Sequence, residues 1–119
     1  MAQLDHDGVL SRLPGELLRD ADLTGSRELL WPADTALQVI DWVAGQQLGI
    51  VVVEAYGPRG QARGQFLGEW QTTAWAEDEP WSAFVRRAAG EAAAAVRSAD
   101  SGGERFFLAL ATADDVPQV

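Results

Sequence analysis

Gly49-Ile50-Val51-Val52-Val53-Glu54-Ala55-Tyr56-Gly57 reads as a strand, and Gln65-Phe66-Leu67-Gly68-Glu69-Trp70-Gln71-Thr72-Thr73-Ala74-Trp75 reads as its return. β-Branched and aromatic residues dominate both runs. The Gly/Pro-rich stretch 57–64 between them suits a turn, so residues 48–75 are predicted to form a hairpin. Four successive apolar residues, Ile50 to Val53, suggest a central strand covered on both faces. In the second strand Glu69, Gln71 and Thr73 share one parity, and Phe66, Gly68, Trp70 and Thr72 share the other. One face of that strand is therefore expected to meet solvent or a partner.

Outward from the hairpin, the pattern is helical on both sides. Pro32 suits the start of a helix over 32–47, with Asp34 favouring its positive end and Ala33, Ala36, Leu37, Ile40, Val43 and Ala44 forming its apolar stripe. Pro80 marks a second helix over 80–98, with Trp81, Phe84, Val85, Ala88, Ala92, Ala95, Val96 and Ala99 in helical period. The alanine run 92–95 is small enough to let this helix approach a sheet closely. Phe106 to Ala111 reads as a last, interior strand. Leu10, Leu13, Leu17 and Leu18 give a helical N-terminal segment, broken at Pro14-Gly15. Arg27 to Trp31 reads either as a short strand or as the lead into the first long helix. The expected class is α+β, a small, mainly antiparallel sheet with helices packed on it. If Arg27–Trp31 is a strand, the core order is βαββαβ.

At 119 residues the chain is one domain. No apolar run is long enough for a membrane span, and the N-terminus shows no basic region followed by an apolar stretch, so neither a membrane nor a secretory signal is expected. With no cysteine there is no disulfide, thiolate metal site or thiol nucleophile, which fits a reducing cytoplasm. The net charge of -9 repels phosphate backbones and anionic lipid, and speeds encounter with a basic protein. All nine basic residues are arginine, and alanine and glycine abound, pointing to a GC-rich bacterial genome.

Little in the sequence speaks for catalysis. His6, between Asp5 and Asp7, is a metal ligand or a terminal cap, and its terminal place favours the cap. The loop 57–64 lacks the lysine and spacing of a phosphate cradle. Glu54 and Glu69 can face each other across the hairpin, as an acid/base pair needs, but no further catalytic group supports them. No enzyme activity, cofactor or metal is expected. Trp70 and Trp75 have opposite strand parity, so at least one is expected near the surface. Exposed aromatics beside carboxylates are typical of protein-binding hot spots. Glu54, Tyr56, Glu69, Trp70, Trp75, Glu77, Asp78 and Glu79 are the candidate partner-binding residues.

Several features combine into a family resemblance. Ala36-Leu37-x-x-Ile40 on a helix precedes Gly49-Ile50-Val51-Val52-Val53-Glu54-x-Tyr56. A turn, a strand with Trp70, Trp81-x-x-Phe84-Val85 opening a helix, and Phe106-Phe107 in the last strand follow. Over residues 29–110 this resembles the immunity protein 40 family of bacterial polymorphic-toxin systems. The resemblance implies a non-enzymatic cytoplasmic protein that binds and neutralises a toxin delivered by neighbouring cells. Two other readings stand beside it: a small-molecule-binding protein or enzyme with a Glu54/Tyr56/Glu69 pocket, and an acidic chaperone-like or structural dimer. Monomer and homodimer both remain open.

Overall fold

The computed structural model describes residues 12–19, 21–23, 29–57, 65–116 and 118. His6, Leu10 and the turn residues 58–64 lie outside them. Helix α1 covers Gly15–Arg19, and strands β1 and β2 cover Asp22–Leu23 and Leu29–Pro32. Helix α2 is Ala33–Gly45, and the hairpin strands β3 and β4 are Gly49–Tyr56 and Phe66–Gln71. Helix α3 is Trp81–Ala99 and β5 is Arg105–Ala111. The sheet runs β1-β2-β5-β3-β4, with every neighbouring pair antiparallel. The class is α+β.

Leu29–Pro32 is a true strand, so β2 to β5 follow the βαββαβ order. Each long helix spans one intervening strand: α2 joins β2 to β3 across β5, and α3 joins β4 to β5 across β3. No linker separates β2 from α2. Pro32 ends the strand with extended backbone (φ -65°, ψ 161°) and is also the residue before the first helical turn. Its missing N–H costs nothing there, because the start of a helix leaves that donor unpaired anyway. Pro80 does the same before α3, with φ -61° and ψ 146°.

Helices α2 and α3 pack against each other, and α3 lies over β3. Val39, Ile40, Val43, Ala92, Ala95 and Val96 meet Ile50, Val53, Phe106 and Leu108 in the main core. The alanines at 92 and 95 are buried, as close approach to a sheet requires, whereas Ala94 faces solvent. The N-terminal segment joins this core through Leu13 and Leu17, and the Trp31 indole N–H donates to the Leu17 carbonyl at 2.7 Å.

The run Ile50 to Val53 does not alternate, and a β-bulge explains it. Ile50 pairs with Leu110 and Val52 with Ala109, leaving Val51 as the extra residue. Ile50 and Val53 therefore both face the helices. Val51 and Val52 belong to a smaller cluster with Leu30, Phe107 and Ala109, and are only half-buried. Full burial on both faces, expected from four apolar residues in a row, is not what this run encodes.

Helix α2 ends in a Schellman arrangement: Leu48 N–H donates to the Val43 carbonyl and Gln47 N–H to that of Ala44. The left-handed residue is Gln47, at φ 60°, rather than either flanking glycine. The Trp81 indole N–H donates to the Gln47 carbonyl at 2.9 Å and ties this exit to the start of α3. Gly49 is needed for space. A Cβ there would lie 2.7 Å from Phe84 Cε2 and 3.0 Å from Trp81 Cη2. Gly49→Ala is expected to lower stability by about 1–3 kcal/mol through overpacking, measured as a fall in the urea midpoint at unchanged slope.

Candidate functional site

Strand β4 is the edge of the sheet, and all six of its residues are exposed or half-exposed. Among the described residues, the exposed large hydrophobics are Phe66, Leu67 and Trp70, at 53%, 48% and 37%. All three stand on this one strand. Scattered apolar residues on a surface are ordinary, but a cluster along an unpaired edge is a marked feature.

The two faces of β4 differ. Trp70 pairs with buried Val53 on the helix side, and its ring lies over Gly68, which has no side chain of its own to cover that strip. The opposite face carries the carboxylates. Glu54 lies directly opposite Glu69. Thr72 N–H donates to the Val51 carbonyl, which makes Val52–Gln71 a non-hydrogen-bonded pair, and Glu54–Glu69, two residues on, is another. Side chains approach most closely at such positions, and like charges there are unfavourable. Among the described residues no cation pairs with either. The Tyr56 hydroxyl donates to Glu54 Oε1 at 2.6 Å, and the Gln71 amide reaches Glu69 Oε2 only at 3.5 Å. A second bulge, at Leu67, puts Phe66 opposite Tyr56, with ring centroids 5.8 Å apart in an edge-on arrangement.

The remaining candidates lie beyond the strand. Residues 72–75 were expected to continue β4, but the paired strand ends at Gln71: Thr72 still bonds to β3, and from Thr73 onward α3 takes the backbone groups. Arg87 donates to the carbonyls of Thr73 at 3.1 Å and Ala74 at 3.0 Å, and Glu91 accepts the Thr73 N–H at 2.7 Å. The same guanidinium binds Glu79 through two nitrogens, at 2.9 and 2.8 Å, and Glu91 at 2.8 Å. All five of its N–H donors are thereby used. It also lies 5.3 Å from the centre of the Phe84 ring. Trp75 folds back on Trp81 and Phe84, and its indole N–H donates to the Glu79 carbonyl at 2.7 Å.

These bonds set the charges. The Arg87 hydrogen bonds hold the Glu79 carboxyl below its ordinary 4.5 against the opposing effect of burial. Burial pushes Glu91 up, but the Thr73 N–H and Arg87 outweigh it, so its net shift is also downward. Arg87 itself is raised, first by Glu79 and then by Glu91.

The eight candidate residues thus divide. Glu54, Tyr56 and Glu69 share the sheet face away from the helices. Trp70 stands on the other face of the same edge. Glu77 and Asp78 are exposed in the turn before α3. Trp75 and Glu79 are half-buried and serve to fix that turn. Phe66 and Leu67 were missed as exposed residues, although Leu67 shares strand parity with Glu69 and Gln71. Arg87 was missed too, although its spacing to Glu91 is that of a helical ion pair. Among the described residues no group of three or more His, Asp or Glu could hold a metal ion, and no helix is long and apolar enough to cross a membrane. Among the described residues this edge presents exposed apolar side chains, two adjacent carboxylates and main-chain groups with no strand beyond them. No family model, curated protein or solved structure matches the chain.

Proposed function

We propose that the chain is a non-enzymatic immunity protein, which binds and neutralises a cognate bacterial toxin in the cytoplasm of the cell that makes it. One observation carries the reading: the exposed large hydrophobics among the described residues stand on edge strand β4, beside the Glu54–Glu69 pair. Aromatic anchors supply contact energy, while carboxylates on a chain of net charge -9 steer a basic partner. The family resemblance over 29–110 supports the same reading. Glu54, Tyr56, Glu69 and Trp70 form the contact surface, and Glu77 and Asp78 add to the field. Trp75 and Glu79 contribute through the shape of their turn.

The test is viability. The open reading frame immediately upstream is expressed in a test bacterium with and without this chain. Killing that this chain rescues is the expected result; a harmless neighbour, or killing regardless, removes the reading. In the purified pair, Glu69→Arg is expected to weaken binding by about tenfold or more, most of it in dissociation. Calorimetric titration with a thermal-melt control separates this from unfolding.

A further inference from the structure

We infer that the free edge of β4 accepts an extended basic segment of a partner protein as a further strand of the sheet, with lysine or arginine at alternate positions beside Glu69. This rests on the binding-protein reading above and specifies its mode of recognition. Three observations lead to it.

The first is the hydrogen-bonding state of the edge. Because Glu54–Glu69 and Val52–Gln71 are non-hydrogen-bonded pairs, the main-chain N–H and C=O of Glu69 and Gln71 point away from β3. Among the described residues no strand lies beyond them. The bulge at Leu67 interrupts only the start of β4, and Gly68 to Gln71 pairs regularly. A bulge often protects an edge, but here a regular stretch is left that no described strand covers.

The second is charge. Glu54 and Glu69 stand side by side, on a chain already at -9, and among the described residues no cation pairs with either. An added strand places the residue opposite Glu69 on the same face as both carboxylates, so lysine or arginine there relieves the repulsion directly. A second copy of this chain does the reverse: antiparallel self-pairing around Trp70 brings the two Glu69 carboxylates near one another. Charge therefore selects a basic partner over a like protomer.

The third is alternation. The residue opposite Trp70 falls on the helix-side face, where the indole is 37% exposed. The edge is thus matched by a basic–apolar–basic pattern, with main-chain bonds giving affinity and alternate side chains giving selectivity.

The probe is a blocked hexapeptide of alternating lysine and valine, titrated into the isotope-labelled full chain, with a glutamate–valine hexapeptide as control. The expected result is saturable amide shifts and slowed exchange centred on Glu69 and Gln71, weakened by salt. Glu69→Gln is expected to weaken binding by about fivefold. Gln71→Pro, which removes an outward donor and no bond to β3, is expected to abolish it. Should the proline variant fail to fold, the Glu69→Gln result stands alone. Absent shifts, shifts elsewhere, or equal binding of the glutamate peptide overturn the inference. So does a peptide-free dimer that protects the same amides, which makes the occupant a second copy. If toxin rescue succeeds while these peptide results fail, the immunity reading survives and this mode of recognition falls; the opposite pattern separates them the other way.

Discussion

Phe84→Ala is expected to cost about 3–5 kcal/mol of stability, the usual range for emptying a buried phenylalanine site. Phe84 is 1% exposed. Its ring packs 5.1 Å from Trp81 and 6.3 Å from Trp75, between the Arg87 guanidinium and Gly49. Truncation leaves a hole that three large, mutually braced groups cannot close without leaving their own contacts. Native domains have only about 5–15 kcal/mol in all, so the variant should sit near the threshold of folding. Urea unfolding followed by tryptophan fluorescence gives the number. Near-ultraviolet circular dichroism should lose the signal of the Trp75–Trp81 pair, whose centroids are 4.9 Å apart. A cost below about 1 kcal/mol would show that the cluster repacks freely, because a cavity that closes fully loses only the transfer energy.

Arg87→Met should have the next largest effect, and it should depend on pH. Methionine keeps the length of the stem and removes all five donors. The Thr73 and Ala74 carbonyls and the Glu79 and Glu91 carboxylates lose a shared partner together. The site is partly open to solvent, with the Arg87 side chain 31% exposed. Screening reduces what the ion pairs contribute, and about 2–3 kcal/mol is a reasonable total for the hydrogen bonds near neutral pH. Both carboxyls titrate lower in the folded chain than their ordinary 4.5. The unfolded chain therefore binds more protons in the interval between the two states, and stability rises with pH across it. The contribution is complete above the unfolded value and is lost as pH falls through the folded ones. The parent protein should weaken steadily on acidification below about pH 5, and Arg87→Met should flatten that slope. It should not abolish it, because Ser101 lowers Glu104 and Thr112 lowers Asp115 independently of Arg87. Parallel denaturation curves for the two proteins at pH 3.5, 5 and 7 decide the matter; an unchanged slope would remove Arg87 from it.

Local features of the sequence carried much of the architecture. Pro32 and Pro80 mark both long helices to within a residue, since proline at a helix start and apolar residues at helical spacing are local signals. The hairpin and its Glu54–Glu69 juxtaposition were legible from β-rich runs flanking a Gly/Pro turn. What escaped depends on distant contacts. The end of β4 at Gln71 is set by Arg87, sixteen residues later in the chain, so Thr73 and Ala74 look like strand and are not. The bulge at Val51 is invisible in a run of β-branched residues, because any of them fits either face. The wedging of β5 between β2 and β3 is likewise a matter of pairing, and no turn residue announces it. Trp75 illustrates the cost for the site: parity arithmetic applied to a residue already off the strand says nothing about its exposure.

The corner at Pro32 also bears on how the molecule can open. Strand β2 and helix α2 share a boundary with no slack between them. Pulling Leu29–Pro32 away from β5 must tug the first turn of α2 from the core, and fraying that turn must strain the strand. Many proteins open piecewise, with hinges in loops that let one element leave while another stays. Here no loop stands between strand and helix to act as such a hinge, so the two are expected to open together, with common protection in native-state hydrogen exchange.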